Sequence, residues 1–302
     1  MALVTRRHFI MGAGGVALLG AGLAGDAFAL EPAFLLDVTA YHVAIAGWPR
    51  GLNLKIAAIA DIHACRPWMN VARIRHIADV TNALNPDVIV LLGDFNAGHD
   101  FVSGPVMPHE WAEALSGLRA PLGSWGVLGN HDWWHGALVS MPGDNGAGVR
   151  AGLKAANIHC MENDAVRLEK SGQPFWLLGL GDQMAHFVQR GWTRGIDDLP
   201  GTLRKVRDGA PAILLAHEPH IFRHVPERIA LTLCGHTHGG QVNLPFLHRR
   251  WYKDGLTGYD SIYGHTQIGN KHMVISGGLG TSALPVRFLR PPEIIEVNVT
   301  AA

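Results

Sequence analysis

Leu54-Lys55-Ile56-Ala57-Ala58-Ile59-Ala60-Asp61-Ile62-His63 decides the fold. The run is apolar save for one lysine, which reads as a buried strand, and it stops abruptly at a carboxylate and an imidazole two positions apart. The next elements repeat the theme. Asn70 is placed to cap a helix running to about Leu84, with Val71, Ile74, Ile77, Ala78, Thr81 and Leu84 on one face. Asn85-Pro86 stops it. Asp87-Val88-Ile89-Val90-Leu91-Leu92 is a second continuous apolar strand, ending in Gly93-Asp94. Strand, helix and strand within about 40 residues make a βαβ unit, so the strands are parallel and both polar motifs sit at strand C-termini.

The pattern continues outward. A helix over Pro108 to Leu118 leads to a strand, Ser124 to Leu128, that ends in Gly129-Asn130-His131-Asp132. After a Gly-rich loop from Pro142 to Gly148, a helix and the segment Ala155 to Asn163, two hairpin-like strands follow, Ala165 to Leu168 and Phe175 to Leu180. Asp182 to Gly209 is polar and shows no clear period. Pro211 to Ala216 is an apolar strand ending in His217-Glu218-Pro219. Ala230 to Cys234 is another, released into Gly235-His236-Thr237-His238-Gly239-Gly240-Gln241. Met273 to Ser276 and Ile294 to Val299 add two strands, and upstream Leu36 to Ile45 reads as an outer strand entering a hairpin through Gly47 to Gly51. No repeat or linker divides residues 30–302. The expectation is one α/β domain, a two-sheet sandwich flanked by helices.

The chain has 302 residues, 48% hydrophobic and 17% charged, enough for a large core. Its formal charge is zero, without the basic excess of a nucleic-acid-binding surface. The 18 histidines are the anomaly. Three cysteines, Cys65, Cys160 and Cys234, lack zinc-knuckle spacing and leave at least one thiol unpaired in a monomer. At the N-terminus, Thr5-Arg6-Arg7-His8-Phe9-Ile10, an apolar run to Ala24 and the small-residue site Ala27-Phe28-Ala29 have the form of a twin-arginine export signal over residues 1–29. The run of about 15 residues is short of the roughly 20 that span a bilayer, which favours cleavage before Leu30 over retention as an anchor. Export through the Tat translocase would carry a folded protein to the periplasm or cell envelope, with membrane association as a variant.

Asp61, His63, Asp94, Asn130, His131, His217, His236 and His238 end five separate apolar strands. Each alone has an ordinary reading, such as a turn Gly-Asp, a solvated loop or a satisfied core histidine. In an α/β sheet, however, strand C-termini share one edge, where ligands bind. Seven of the eight offer mixed imidazole and oxygen ligands for two ions, with the two oxygens of Asp94 suited to bridging. Such a set fits Mn, Fe or Zn and lacks the thiolates of a structural zinc site.

Asp61-x-His63, Gly93-Asp94, Gly129-Asn130-His131-Asp132, His217 and Gly235-His236-Thr237-His238 resemble, in order, the motif set of the calcineurin-like metallophosphoesterases. Gly239-Gly240-Gln241-Val242, Gly278-Leu279-Gly280-Thr281 and Pro285-Val286-Arg287-Phe288 are similar to its exported bacterial phosphodiesterase branch. The resemblance implies a four-layer αββα fold and a dinuclear centre. Asp61, His63 and His238 would hold one divalent ion and Asn130, His217 and His236 the other, with Asp94 bridging. It further implies attack on phosphorus by a metal-bound hydroxide, and a catalytic His131 that protonates the leaving oxygen or stabilises its charge. Many relatives hold that histidine with an Asp three residues after the bridging one; here the position is Ala97, which leaves Asp132, Asp100 or backbone for the task. Trp134 and His135, after the catalytic loop, and Arg287 are candidates to bind substrate.

The resulting expectation is an exported metal-dependent phosphoesterase that cuts a phosphodiester or phospholipid-type bond in a lipid or cell-envelope component. The competing readings are a broad phosphomonoesterase and a non-catalytic envelope-binding protein.

Overall fold

A computed structural model describes residues 22–188, 192–244 and 261–302. Residues 1–21 of the predicted leader lie outside the described residues. Two six-stranded sheets form the centre. In chain order the strands are β1 (Asp37–Ile45), β2 (Leu54–Ile59), β3 (Val88–Leu92), β4 (Ser124–Val127), β5 (His159–Cys160), β6 (Asp164–Lys170), β7 (Gln173–Gly179), β8 (Ala212–Leu215), β9 (Ile229–Cys234), β10 (Gly264–Ile268), β11 (Lys271–Ile275) and β12 (Glu293–Ala301). The first sheet runs β1-β12-β2-β3-β4-β5 and the second β10-β11-β9-β8-β7-β6.

The expected βαβ unit is present: β2 and β3 pair in parallel around helix α1 (Val71–Ala83), whose first turn is capped by the Asn70 side chain accepting from Arg73 N at 3.1 Å. Helix α2 (Pro108–Leu115) ends three residues earlier than its apolar pattern, and β3 and β4 are again parallel. Gly129-Asn130-His131-Asp132 is not an open loop but the start of a short helix α3 (Asn130–Trp134), followed by α4 (Ala147–Ala155). The hairpin β6-β7 forms through Ser171 and Gly172, both at positive φ. The unreadable stretch after Asp182 holds a small ribbon, His186–Phe187 with Thr193–Arg194, and helix α5 (Leu199–Arg204).

One local expectation needs correction. β1 is an outer strand but not half of a hairpin: β12 inserts between β1 and β2, parallel to the first and antiparallel to the second. The C-terminal strand carries Ile294, Ile295, Val297 and Val299, all fully buried, and takes the inner position that their apolar surface favours.

Strand periodicity builds the layers. Ile56 and Ala58 of β2 meet Leu231 and Leu233 of β9 between the sheets, while Ala57 and Ile59 face the layer that includes Ile74 and Trp111 of α1 and α2. On the far side Leu214, Ile229 and Met273 pack against Leu199 and Phe222. The order is helix, sheet, sheet, helix. Burying both sheet faces explains why β2, β3, β8 and β9 read as continuous apolar runs. Among the described residues no helix is long and apolar enough to cross a membrane, and all three cysteines are free thiols.

Candidate metal centre

The C-terminal ends of β2, β3, β4, β8, β9 and β11 meet at one end of the sandwich. Their loops are tied by short bonds: Asp61 N donates to Gly93 O at 3.0 Å, His63 N to Asp94 O at 3.0 Å, Gly235 N to His217 O at 3.0 Å and Gly280 N to Asp61 O at 2.7 Å. Gly93 and Gly129 are required by this closeness. A Cβ on Gly129 would stand 2.4 Å from Asp94 Oδ1, and one on Gly93 (φ +93°) 2.6 Å from Gly129 N.

The loops do more than approach. Asp61, His63, Asp94, His236 and His238 all have φ between +46° and +72°, the left-handed region that non-glycine residues seldom occupy. Such backbone costs on the order of 1–3 kcal/mol per residue. Five cases on five candidate ligands show a chain bent to direct side chains, not to pack them.

The predicted ligands converge. Asp61, His63 and His238 bring their ligand atoms within 4.8 Å of one another, and so do Asp94, His217 and His236. Asp94 Oδ2 lies 3.5 Å from His63 Nε2 and 3.2 Å from His217 Nε2, between the two groups. The Asn130 amide oxygen is 2.9 Å from His236 Nδ1. His63, Asp94 and His131 form a third close set, so the ring of His131 borders the cluster.

Hydrogen bonding fixes the tautomers. His63 Nδ1 donates to Asn96 O at 2.7 Å and His217 Nδ1 to Leu92 O at 2.6 Å. Each Nε2 is thereby turned toward a carboxylate oxygen, where a positive charge, a proton or a metal ion, is favoured between them. Two further signs agree: Asp61 Oδ2 and His217 Nε2 are buried without a hydrogen-bond partner, and His63 Nε2 faces His238 Nε2 at 3.1 Å. The residues fit metal binding.

Electrostatics follow from burial. Desolvation lowers His63 and His238 below the ordinary imidazole range and pushes His236 down to about 4, so these candidate ligands are neutral rings at neutral pH. Asp61 is pushed up to about 7 by burial. Burial works against charge on Asp94 and His217 too, but their mutual attraction wins, holding Asp94 well below and His217 well above their usual values. The Asp94 carboxylate thus favours positive charge at His217 Nε2.

His131 is half-buried, its backbone N–H donating to Asp94 Oδ1 at 2.9 Å, and burial lowers its imidazole to about 3. Neither suggested acid holds it. Asp132 is committed to four backbone N–H groups, from Gly129, Asp94, Phe95 and Asn96, and Asp100 accepts from Ser140 N. The partner is Ser282, whose Oγ is 3.3 Å from His131 Nε2. Trp134 and His135 flank the same ring at 5.6 and 5.1 Å between centroids.

Arg287 is not available to a phosphate. It is fully buried, and its guanidinium donates to Gly277 O, Gly280 O and Arg290 O, with Nη2 3.4 Å from His238 Nδ1. It braces the loop behind His238 from within. Sequence reasoning missed Ser282 and left Gln241 without a role. It also missed the cap role of Asp132, although Gly129-x-x-Asp132 has the spacing of a helix capping box.

A fold with these strand-end ligands defines a metal-binding phosphoester hydrolase. The chain belongs to the calcineurin-like phosphoesterases, whose family profile matches residues 54–266. It is 30% identical over 306 residues to the uncharacterized metallophosphoesterase YkuE of Bacillus subtilis (strain 168), covering 97% of each chain. It is 27% identical over 275 residues to an uncharacterized metallophosphoesterase of Aquifex aeolicus (strain VF5), covering 88% of this chain and 92% of the relative.

Proposed function

We propose that this protein is an exported phosphodiesterase that uses two divalent ions, Mn, Fe or Zn, to hydrolyse a phosphodiester or phospholipid-type bond of the cell envelope. The observation that carries the two-ion reading is Asp94 Oδ2 standing between His63 Nε2 and His217 Nε2. Asp61, His63 and His238 would hold one ion, Asn130, His217 and His236 the other, and Asp94 would bridge. When bound, such ions supply Lewis acidity to the phosphoryl oxygens and acidify water.

The chain's own residues do the rest. Leu92 O and Asn96 O keep His217 and His63 in the tautomer that binds metal. His131, outside the ligand scheme, donates a hydrogen bond on the leaving-group side. Its lowered proton affinity suits a neutral donor better than a resident acid.

The surroundings favour a lipid-type ester. The Phe187 ring lies tilted against Trp134, 4.3 Å between centroids, and Val188 N, one residue on, donates to Trp192 O. Phe101 lies against His99, which bonds Thr281 Oγ1, and Leu284 O accepts from Gln241. Phe101, Phe187, Trp192 and Leu284 are all exposed, Trp192 to 75%. Large apolar side chains left in water this close to a site support an apolar ligand.

The test is hydrolysis by metal-replete protein of an aryl phosphodiester, an aryl phosphomonoester, phosphatidylglycerol vesicles and a sugar-nucleotide pyrophosphate. Turnover of the diester and the vesicles above the monoester is expected. A monoester preference would make it a phosphomonoesterase, and bound metal with no turnover a binding protein. Export is tested separately: replacing Arg6 and Arg7 by Lys should leave folded precursor in the cytoplasm, whereas unchanged fractionation would point to another route.

A further inference from the structure

Ser282 Oγ lies 3.3 Å from His131 Nε2. The other ring nitrogen, Nδ1, is enclosed and has no hydrogen-bond partner, so Nε2 is the nitrogen a substrate oxygen can reach. Ser282 therefore stands where that oxygen must arrive.

Its placement is enforced. Gln241 Oε1 accepts from Ser282 N at 2.6 Å, and Gln241 Nε2 donates to Ser282 O at 3.0 Å. One side chain thus supplies the pair of bonds that an adjacent strand would make. Gln241 follows directly on the turn carrying His238 and itself has φ +55°, an uncommon conformation for its residue type. The loop beyond is fastened as well, with Ala283 N donating to Gly98 O at 3.0 Å.

We propose that Ser282 and His131 act as one hydrogen-bonding unit on an oxygen of the phosphoester, with Gln241 the positioning residue that holds Ser282 to it. A hydroxyl both donates and accepts. It can accept from Nε2–H while turning its own hydrogen to the arriving oxygen, which a carboxylate at the same place could not do. The inference rests on the phosphoesterase reading above.

The experiment compares metal-replete wild type with Ser282→Ala, Ser282→Thr, Gln241→Ala, His131→Ala and the Ser282→Ala/His131→Ala double variant. Each is assayed on an activated aryl diester and an alkyl diester with a poor leaving group, with metal content measured throughout. Ser282→Ala should retain metal and slow the alkyl ester by roughly 10- to 100-fold, the worth of one hydrogen bond to developing charge, and slow the aryl ester far less. Ser282→Thr should recover most of the loss, and Gln241→Ala should show the same contrast at smaller size. In the His131→Ala background the serine change should add almost nothing, because the two act together.

A Ser282→Ala loss that persists in full without His131, or no loss at all, overturns the unit. An unchanged contrast in Gln241→Ala with Ser282→Ala affected overturns the positioning role alone. Wild type that hydrolyses neither ester overturns the phosphoesterase reading and this one with it.

Discussion

The Asp132 carboxylate accepts the backbone N–H of Asp94 at 3.0 Å, and the same two oxygens take the N–H groups of Phe95, Asn96 and Gly129. A single buried side chain thereby joins the loop after β3, where the bridging candidate sits at φ +57°, to the helix that presents Asn130 and His131. Truncating it would leave several buried donors unpaired, at about 1–3 kcal/mol each. Asp132→Ala should therefore lose at least about 3 kcal/mol of stability, and Asp132→Asn less. Urea unfolding of the metal-free proteins measures it, and a change under about 0.5 kcal/mol would contradict the role.

Asp94→Asn should keep the fold but lose activity, because a neutral amide would not offset the charge of the two ions proposed to share this side chain. It should also free His217 from its raised proton affinity, whose cause is the Asp94 charge. Elemental analysis decides the matter: a purified variant with two equivalents of metal and normal turnover would defeat the bridging assignment.

Arg287→Ala should act on stability and on metal at the His238 group, not on phosphate affinity. The guanidinium satisfies three backbone carbonyls in a fully buried place, and losing charged donors there costs about 1.5–3 kcal/mol per bond. Inhibition by inorganic phosphate, compared at equal metal occupancy, should be unchanged. A large rise in the inhibition constant would return Arg287 to the substrate side.

The layered fold was legible because β2, β3, β8 and β9 are buried on both faces and announce themselves as apolar runs. The candidate metal site was legible because each candidate ligand follows such a run, as Asp61 does β2 and His217 does β8. What escaped depends on contacts between distant segments. Nothing local says that β12 will insert beside β1, since register between chain ends is a tertiary choice. Ser282 and His131 are 151 positions apart, and Ser282 belongs to no strand end. Arg287 read as a candidate to bind substrate because its three carbonyl acceptors come from a loop whose path only the fold defines.

Metal uptake should be proton-linked, with affinity rising as pH rises. In the metal-free protein His63, His236 and His238 are already neutral at pH 7, and Asp94 is already ionised. Two groups still carry protons that compete with metal: Asp61, pushed up to about 7 by burial, and His217, held above its normal range by Asp94 despite burial. Each proton released steepens the dependence by roughly tenfold in affinity per pH unit. Titration calorimetry in buffers of different ionisation enthalpy counts them, and Asp61→Asn should remove one. The same carboxyl sets a sign for stability without metal. Its folded value lies above the unfolded 3.8, so its contribution is present below about pH 4 and is lost as pH rises through about 7. Metal-free Asp61→Asn should therefore gain stability over wild type by more at pH 8 than at pH 5. An equal difference at both pH values would mean that Asp61 is ionised throughout, and that its neighbours, not a proton, neutralise it.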